Sequence, residues 1–308
     1  MTQRLVVVGN GLAARHLIET LCRTAPGRFA VSVIGAEPHG SYNRILLSPV
    51  LAGEQRPEET LLPDMSHGDN VTFYHGETAL RIDRARRLLY TSQRCLPYDQ
   101  LVLATGAQPL LPAVPGADLS GVLGFRTLTD VGRMLAHCRP GAPAVVIGGG
   151  ILGIEAATAL AQRGMAVTLL HRHAGLMERQ LDERAGQLLR ADLEQRGLQI
   201  LTGCEVAAFH GNSALEAVTL SSGARRPAVL AVACIGTRPE TALAAAAGLA
   251  CDRGILVDGG LSTADPAILA VGECAQVGRF TAGLVAPCRG QAEVLAQRLA
   301  GQAGAAWQ

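Results

Sequence analysis

Two stretches of the chain share one order of hydrophobic and polar positions, about half a chain apart. Each begins with a short β-branched run, at 6–8 and at 145–147, passes through a glycine-rich turn and continues with a helix-like pattern. A strand, a tight turn and a helix in this order open a βαβ unit. The pattern therefore predicts an α/β protein with two nucleotide-binding units of the Rossmann type.

The remaining pattern predicts the elements between and after these stretches. We expect strands near 30–37, 101–104, 166–170, 254–258 and 268–273. We expect helices near 182–196, 242–250 and 287–299. The proline-rich segment 108–116 cannot be helical, and we interpret it and 234–239 as crossings between domains. The first domain is then discontinuous, 1–110 plus 235–308, and the second, 111–234, is inserted into it.

Both turns carry small residues at the positions where a dinucleotide-binding turn needs them. The first glycine permits a tight turn, the second lets the backbone approach a pyrophosphate, and the third small residue lets the helix pack against the strand. The anion then meets unpaired N–H groups at the positive end of the helix dipole. The residues that we expect to contact cofactors here are Gly9, Gly11, Leu12, Ala13 and Ala14 in the first copy, and Gly148, Gly150, Ile151, Leu152 and Gly153 in the second.

The same fingerprint predicts an acidic residue after the next strand, where a carboxylate accepts hydrogen bonds from a ribose. Glu37 stands there in the first copy, which suits the ribose of an ADP moiety. In the second copy the strand runs into His171 and Arg172 without an acid. Arg172 could meet a 2′-phosphate and favour NADP, whereas a neutral His171 at the ribose leaves NAD acceptable.

Composition excludes several other classes of protein. A length of 308 residues suits two domains, and a net charge of +1 predicts no strong field for nucleic acid or an acidic membrane. The apolar stretch 144–161 contains three consecutive glycines and Glu155, so we expect a strand, a turn and a helix there and no membrane span. The eight dispersed cysteines show no metal-binding spacing, and we expect reduced thiols in a cytoplasmic protein.

At this point the chain resembles the two-dinucleotide flavoprotein reductases with a glutathione-reductase-like fold. The resemblance implies that the first domain binds FAD and that the inserted domain binds NAD(P)H. It also implies that the carboxylate of Glu273, or a nearby backbone N–H, holds the ribitol and pyrophosphate region of FAD. Five elements occur in the family's order: the turns at Gly9 and Gly148, Thr105 and Gly106 after a strand, Gly236 at the return crossing, and Gly272 with Glu273.

A narrower resemblance involves the segments 42–48, 176–182 and 272–275. They look like the flavin region of NADH-dependent nitrite reductase large subunits and of the electron-transfer subunit of assimilatory nitrate reductases. Members of that group usually have a histidine after the second fingerprint's strand and use NADH. The resemblance therefore favours NAD over NADP.

The resemblance also implies roles for single residues. Arg44 would contact the FAD phosphates or adenine, Ser48 would lie beside the isoalloxazine, and Ala79 would offer backbone to the adenine. Glu155 would lie near the nicotinamide carboxamide. The turn that leads to Pro287 would aim a helix N-terminus at the flavin pyrimidine ring, where a reduced flavin carries negative charge.

By this resemblance the chain passes electrons from NADH through FAD to a redox protein, such as the catalytic subunit of a nitrate or nitrite reductase. The cofactors carry out the chemistry, so no catalytic side chain is required. The alternatives are a ferredoxin- or rubredoxin-type reductase and a non-enzymatic sensor that responds to NADH. The chain stops where many relatives begin a C-terminal interface domain, so we expect either a partner subunit that supplies the acceptor or a truncated piece.

Overall fold

The computed structural model describes residues 2–65, 70–302 and 306–307. The helices in these ranges are α1 (Leu12–Thr24), α2 (Leu47–Ala52), α3 (Leu128–His137), α4 (Ile151–Gln162), α5 (Glu183–Gln195), α6 (Ala242–Ala246) and α7 (Val285–Leu299). The strands are β1 (Gln3–Val8), β2 (Phe29–Gly35), β3 (Val71–His75), β4 (Ala79–Asp83), β5 (Leu88–Thr91), β6 (Cys95–Pro97), β7 (Gln100–Leu103), β8 (Ala107–Pro109), β9 (Val122–Gly124), β10 (Pro143–Ile147), β11 (Ala166–His171), β12 (Gln199–Thr202), β13 (Val206–His210), β14 (Ala217–Leu220), β15 (Arg225–Pro227), β16 (Leu230–Ala233), β17 (Thr237–Pro239), β18 (Ile255–Val257), β19 (Ile268–Ala270), β20 (Ala275–Val277) and β21 (Phe280–Thr281).

The chain divides into two compact units. The first comprises Met1–Asn43, Leu61–Gln108 and Arg238–Gln308, and the second comprises Arg44–Thr60 and Pro109–Thr237. The crossings lie within three residues of the sequence-based boundaries, but residues 44–60 group with the second unit. The assignment of one cofactor to each domain stays a prediction.

The physical reason for this grouping is the contact between α2 and α4. Arg163 follows α4, and its guanidinium donates hydrogen bonds to the backbone carbonyls of Leu51 (2.8 Å) and Val50 (3.3 Å). Gly53, which follows α2, lies so close that an added Cβ would meet the same guanidinium at 2.8 Å. The periodicity of so short a helix gives no sign of this long-range contact.

The first unit is built on a parallel sheet in the order β19-β7-β1-β2-β3. Helices α1 and α7 pack together on a core that contains Leu17 and Leu295. A second core, with Leu89 and Tyr98, lies under the antiparallel strands β4, β5 and β6. Strands buried on both sides are typical of parallel sheets.

The second unit repeats this plan. Its parallel sheet has the order β12-β11-β10-β16-β9, and an antiparallel meander of β13, β14 and β15 lies in the chain between β12 and β16. Val145 and Leu170 of the sheet share a core with Phe209 and Val218 of the meander. The predicted fold class, two Rossmann-like α/β units, is confirmed.

Most predicted elements occur with small shifts at their ends. The helix expected at 182–196 is α5, and the Asp182 carboxylate caps it by accepting a hydrogen bond from the Ala185 backbone N–H (2.8 Å). The helix expected at 242–250 is shorter, because α6 ends at Ala246. The apolar stretch 144–161 divides into β10 and α4, and none of the described helices is long and apolar enough to cross a membrane.

Candidate dinucleotide-binding sites

The first glycine-rich turn joins β1 to α1. Gly9 has a φ of +113°, and an added Cβ there would meet the carbonyl oxygen of Ala104 at 2.1 Å. Only glycine is compatible with this positive φ and this close approach. Gly11 differs, because an added Cβ would meet nothing within 4 Å. The second glycine therefore faces open space, as a backbone that a ligand approaches should.

The N-terminus of α1 is open to an anion. Gly11 is its N-cap, no side chain caps the helix, and its first turn, which holds Leu12 and Ala13, contains no acidic residue. Gly272 lies close to this turn, since an added Cβ would meet the Cβ of Ala13 at 2.8 Å. The unsatisfied N–H groups and the helix dipole thus remain available for a pyrophosphate.

Asn10, between the two glycines, was not singled out by the sequence. Its Oδ1 accepts a hydrogen bond from the Ser41 hydroxyl, whereas its buried Nδ2 has no partner among the described residues. A buried donor without an acceptor is costly, so this amide is poised for a ligand acceptor. Glu37 lies two residues past β2, and its Oε2 accepts a hydrogen bond from the Tyr42 hydroxyl (2.6 Å).

Other residues predicted for FAD also belong to the first unit. The Thr105 hydroxyl donates to the Glu240 carbonyl (2.6 Å), and the Gly272 N–H donates to Oε1 of the buried Gln291 (2.8 Å). Gly106 has a φ of +70°, Ala79 begins β4, Glu273 is half-buried, and Pro287 lies in the first turn of α7. The N-terminus of α7, like that of α1, has no side-chain cap and no acid in its first turn.

The second glycine-rich turn joins β10 to α4. Gly148 has a φ of +117°, and an added Cβ would meet the Cys234 carbonyl oxygen at 2.4 Å. At Gly153 it would meet the Gly148 carbonyl oxygen at 1.8 Å, so the helix packs directly on the turn. Around Gly150, the N-cap, an added Cβ would meet nothing within 4 Å.

The N-terminus of α4 is capped differently from those of α3 and α5 in the second unit. Thr127 caps α3 and Asp182 caps α5 through side-chain oxygens, and each helix has an acid in its first turn. Helix α4, which begins at Ile151 and Leu152, has neither. Among the described helices of ten or more residues in the second unit, the helix that follows the glycine turn is therefore the one left open to an external anion.

A cavity of about 610 Å³ lies beside this turn. Gly148, Gly150 and Gly236 line it, together with His171 and Arg172. The structure thus brings these five predicted residues together in the second unit. The cavity size falls within the usual range for cofactor sites.

His171 has a defined hydrogen-bonded role. Its ring is buried, its Nδ1 accepts a hydrogen bond from the Gly149 backbone N–H (3.0 Å), and its Nε2 lies 3.0 Å from Oε2 of Glu178. Because Nδ1 accepts, the proton is on Nε2 and is donated to the carboxylate. His171 thus holds the glycine turn, and a ribose contact by this residue stays a prediction.

Glu178 also lines this cavity, although the sequence did not single it out as a site residue. Burial would raise its pKa, but hydrogen bonds from its own backbone N–H and from His171 keep the pKa below the usual value. The carboxylate is therefore ionised at neutral pH. Its inclusion in the segment 176–182 was the only signal in the sequence.

Arg44 and Ser48 belong to the second unit. The Ser48 hydroxyl donates to Oε2 of Glu155 (2.7 Å) beside a cavity of about 230 Å³, and the Arg44 guanidinium donates to the Arg126 carbonyl (3.0 Å). Ser48 and Glu155, both predicted for the redox end of the cofactors, are thus in direct contact. Whether Arg44, Ser48 and Glu155 contact cofactors stays a prediction.

Burial raises the pKa of two thiols near the predicted sites. Burial, with a contribution from the Glu155 carboxylate, raises the pKa of Cys234 to about 12. Burial likewise raises the pKa of Cys274, which follows Gly272 and Glu273 in the chain. A thiol with a raised pKa is a poor nucleophile, so neither cysteine is suited to disulfide exchange.

Comparison with known proteins agrees with this geometry. A family model described as "Pyridine nucleotide-disulphide oxidoreductase" matches residues 3–297. The chain is 41% identical over 302 residues to a nitrite reductase (NAD(P)H) of Bacillus subtilis strain 168, and 39% identical over 302 residues to the assimilatory nitrate reductase electron transfer subunit of that strain. These matches cover 97% of this chain but only 38% and 39% of the relatives.

A solved structure, the covalent putidaredoxin reductase–putidaredoxin complex, superposes with a TM-score of 0.89 at 31% identity. The match covers 97% of this chain and 76% of that chain. The chain therefore belongs to the pyridine nucleotide-disulphide oxidoreductase family, and the prediction of a two-dinucleotide flavoprotein fold that takes FAD and NAD(P)H is confirmed.

Proposed function

We propose that the chain takes electrons from NADH and delivers them to a separate redox protein in the cytoplasm, the catalytic part of a nitrate or nitrite reductase. The observation that carries this proposal is the pair of glycine turns, one in each unit, each leading into a helix with an uncapped N-terminus. Two such turns suit two dinucleotides that exchange electrons.

The residues of the chain bind and orient the two cofactors. In the first unit, Gly9, Gly11 and the N-terminus of α1 would hold the FAD pyrophosphate, while Glu37 accepts hydrogen bonds from its ribose. In the second unit, Gly148 and Gly150 would hold the pyrophosphate of NADH. When bound, FAD supplies the redox chemistry, because its ring accepts two electrons from a reduced nicotinamide and releases them to an acceptor.

The nature of the acceptor is supported by the two Bacillus relatives, whose names specify nitrite reduction and electron transfer to nitrate reductase. The likeness to a reductase solved with its redox partner favours a second candidate, reduction of a small ferredoxin-like protein. Both candidates share the same flow of electrons and differ only in the docking partner. The eight free cysteines suit a reducing compartment.

Anaerobic rapid mixing of the FAD-loaded chain with NADH tests the proposal. We expect the absorbance of the oxidised flavin to disappear after mixing, because NADH reduces the flavin. A flavin that stays oxidised in excess NADH would contradict the proposal.

Steady-state turnover with an artificial dye acceptor separates an enzyme from a sensor. We expect continuous cycling, whereas a sensor would reduce its flavin once and turn over poorly. Co-purification from the native host then identifies the acceptor: a nitrate or nitrite reductase subunit supports the first candidate, and a ferredoxin-like protein supports the second.

A further inference from the structure

The sheet registers identify which residue of the second unit occupies the ribose position. Val8 is level with Ile34 on neighbouring strands of the first unit, and Ile147 is level with Leu170 in the second. Three residues after Ile34 stands Glu37, the expected ribose carboxylate. Three residues after Leu170 stands His173, so a histidine takes the place of the strand-end acid.

A segment that comes later in the chain places a carboxylate beside His173. Met177 donates its backbone N–H to the Gly149 carbonyl (3.0 Å) and adopts a φ of +52°, which is uncommon for a residue with a side chain. The next residue is Glu178, whose Oε1 lies 3.7 Å from Nε2 of His173. The carboxylate thus lies beside the strand-end position, although it comes from a different part of the chain.

The orientation of this carboxylate is set by the protein. Oε2 of Glu178 accepts a hydrogen bond from His171, and His171 in turn accepts one from the Gly149 N–H in the glycine turn. The Nε2 of His173 already accepts a hydrogen bond from Arg172 (2.8 Å), so at 3.7 Å its contact with Oε1 is not a hydrogen bond. Oε1 therefore retains capacity to accept hydrogen bonds from a ligand on the cavity side.

We propose that Glu178 is a specificity-determining residue, which accepts hydrogen bonds from the adenine ribose of NADH and repels the 2′-phosphate of NADPH. The inference rests on the proposed function and decides which nicotinamide cofactor that function uses. Arg172, in the same cavity, would act in the opposite direction by attracting a phosphate. The Nε of Arg172 donates a hydrogen bond to His173. Glu178 is connected to the glycine turn by hydrogen bonds through His171.

The test compares Glu178→Gln with the parent chain, both loaded with FAD, in calorimetric titrations with NAD⁺ and with NADP⁺. Glutamine preserves size and removes the charge. We expect the parent to bind NAD⁺ more tightly than NADP⁺. In the variant, the Kd for NADP⁺ divided by the Kd for NAD⁺ should fall about tenfold or more, because the repulsion between the carboxylate and the 2′-phosphate is removed. The measurement is of binding and does not depend on turnover.

Two further variants complete the design. Glu178→Asp retains the charge and should retain the preference for NAD⁺. Glu183→Gln removes an exposed carboxylate in the first turn of α5, outside the residues that line the cavity, and should change neither constant. Retained flavin and an unchanged unfolding temperature show that each variant is folded.

The outcomes separate this inference from the proposed function. An unchanged ratio in Glu178→Gln, equal weakening of both dinucleotides, or a parent that prefers NADP⁺ would overturn the inference and leave the proposed electron transfer intact. A folded, FAD-loaded parent that binds neither dinucleotide would overturn the proposed function itself.

Discussion

The two glycine turns of this protein have almost the same backbone but different surroundings. Gly9 and Gly148 have φ values of +113° and +117°, and the N-caps Gly11 and Gly150 have φ of −83° and −84° with the same ψ of −177°. In each unit the first glycine also donates its N–H at 2.8 Å to the neighbouring strand, at Ile34 and at Leu170 respectively. This shared geometry is the one that we expect if each turn holds a pyrophosphate.

The space between the turn and the neighbouring strand is filled from opposite sides in the two units. In the first unit Asn10 of the turn faces Gly35, where an added Cβ would meet the Cβ of Asn10 at 3.1 Å. In the second unit the glycine is in the turn, and an added Cβ on Gly149 would meet Cδ2 of Leu176 at 2.6 Å and the His171 ring at 2.7 Å. The polar side chain beside the turn therefore comes from the turn itself in the first unit, as Asn10, and from the neighbouring strand in the second, as His171.

The third small position shows that the second turn is the tighter one. Ala14 is fully buried in the first unit, so the packing of α1 accommodates a methyl group. At Gly153 an added Cβ would lie 1.8 Å from the Gly148 carbonyl oxygen. Alanine at this position in the first copy is therefore not evidence that it would be tolerated in the second.

The strongest test of the comparison is to replace the first glycine of each turn. Gly9→Ala and Gly148→Ala each place a Cβ on a backbone carbonyl at a positive φ, so we expect a loss of at least about 1–3 kcal/mol in stability. Gly9→Ala should lose FAD, whereas Gly148→Ala should retain FAD and lose NAD⁺ binding. Flavin content and calorimetry measure the two effects.

Gly197→Ala is the matched control for these variants. Gly197 has a φ of +88°, and an added Cβ would meet nothing within 4 Å, so it carries the backbone strain without the clash. We expect it to retain both cofactors. Normal NAD⁺ binding by Gly148→Ala would contradict the interpretation of the second turn.

The second glycines should show the opposite balance between stability and binding. Gly11→Ala and Gly150→Ala meet no protein atom within 4 Å, and their backbone is extended, so we expect the free energy of unfolding to change by no more than about 1 kcal/mol. Because the new methyl group occupies space that a pyrophosphate needs, affinity for FAD and NAD⁺ respectively should fall roughly tenfold or more.

Gly132→Ala provides the control for this pair. Gly132 is exposed in α3, away from both turns in sequence, and an added Cβ would meet nothing within 4 Å. It should leave both affinities unchanged. Full affinity in Gly11→Ala and Gly150→Ala would mean that the open space is not where the cofactors bind.

The smallest expected effect concerns an ion pair that only the first unit possesses. In the first unit the backbone N–H of Asp99 donates a hydrogen bond to the Arg4 carbonyl (2.9 Å). In the second unit the backbone N–H of Val229 donates an equivalent hydrogen bond to the Pro143 carbonyl (3.0 Å). The first pair adds a side-chain ion pair, in which hydrogen bonds from Arg4 lower the pKa of Asp99 from 3.8 to about 2.

Because the folded-state pKa is lowered, the pair contributes stability above the ordinary pKa of 3.8, and this contribution is lost as the pH falls toward 2. Asp99→Asn should therefore lower the free energy of unfolding slightly at pH 7 and less at pH 3. Urea unfolding of Asp99→Asn, Arg4→Gln and the double variant measures the coupling. An effect that is larger at pH 3 than at pH 7 would contradict this assignment.

The sequence by itself determined the two βαβ openings, the positions of both glycine turns and the approximate bounds of the elements that it predicted. These follow from local rules: the periods of strands and helices, and the small side chains that a tight turn requires. The caps of helices obey equally local rules, which is why Asp182 and Gly197 bound α5 as expected. Family resemblance supplied the two cofactors, because the motifs that carry it are short and occur in a known order.

Tertiary structure decided what depends on distant segments. The chain distance between Gly149 and Glu178 hides their connection through His171, and the periodicity of residues 44–60 does not show that α2 packs on α4. Sequence pattern located the absence of an acid after β11, but only the register and the returning loop show that Glu178 lies beside that position. Local backbone preferences are encoded residue by residue, whereas a long-range contact depends on how strands and loops meet in space.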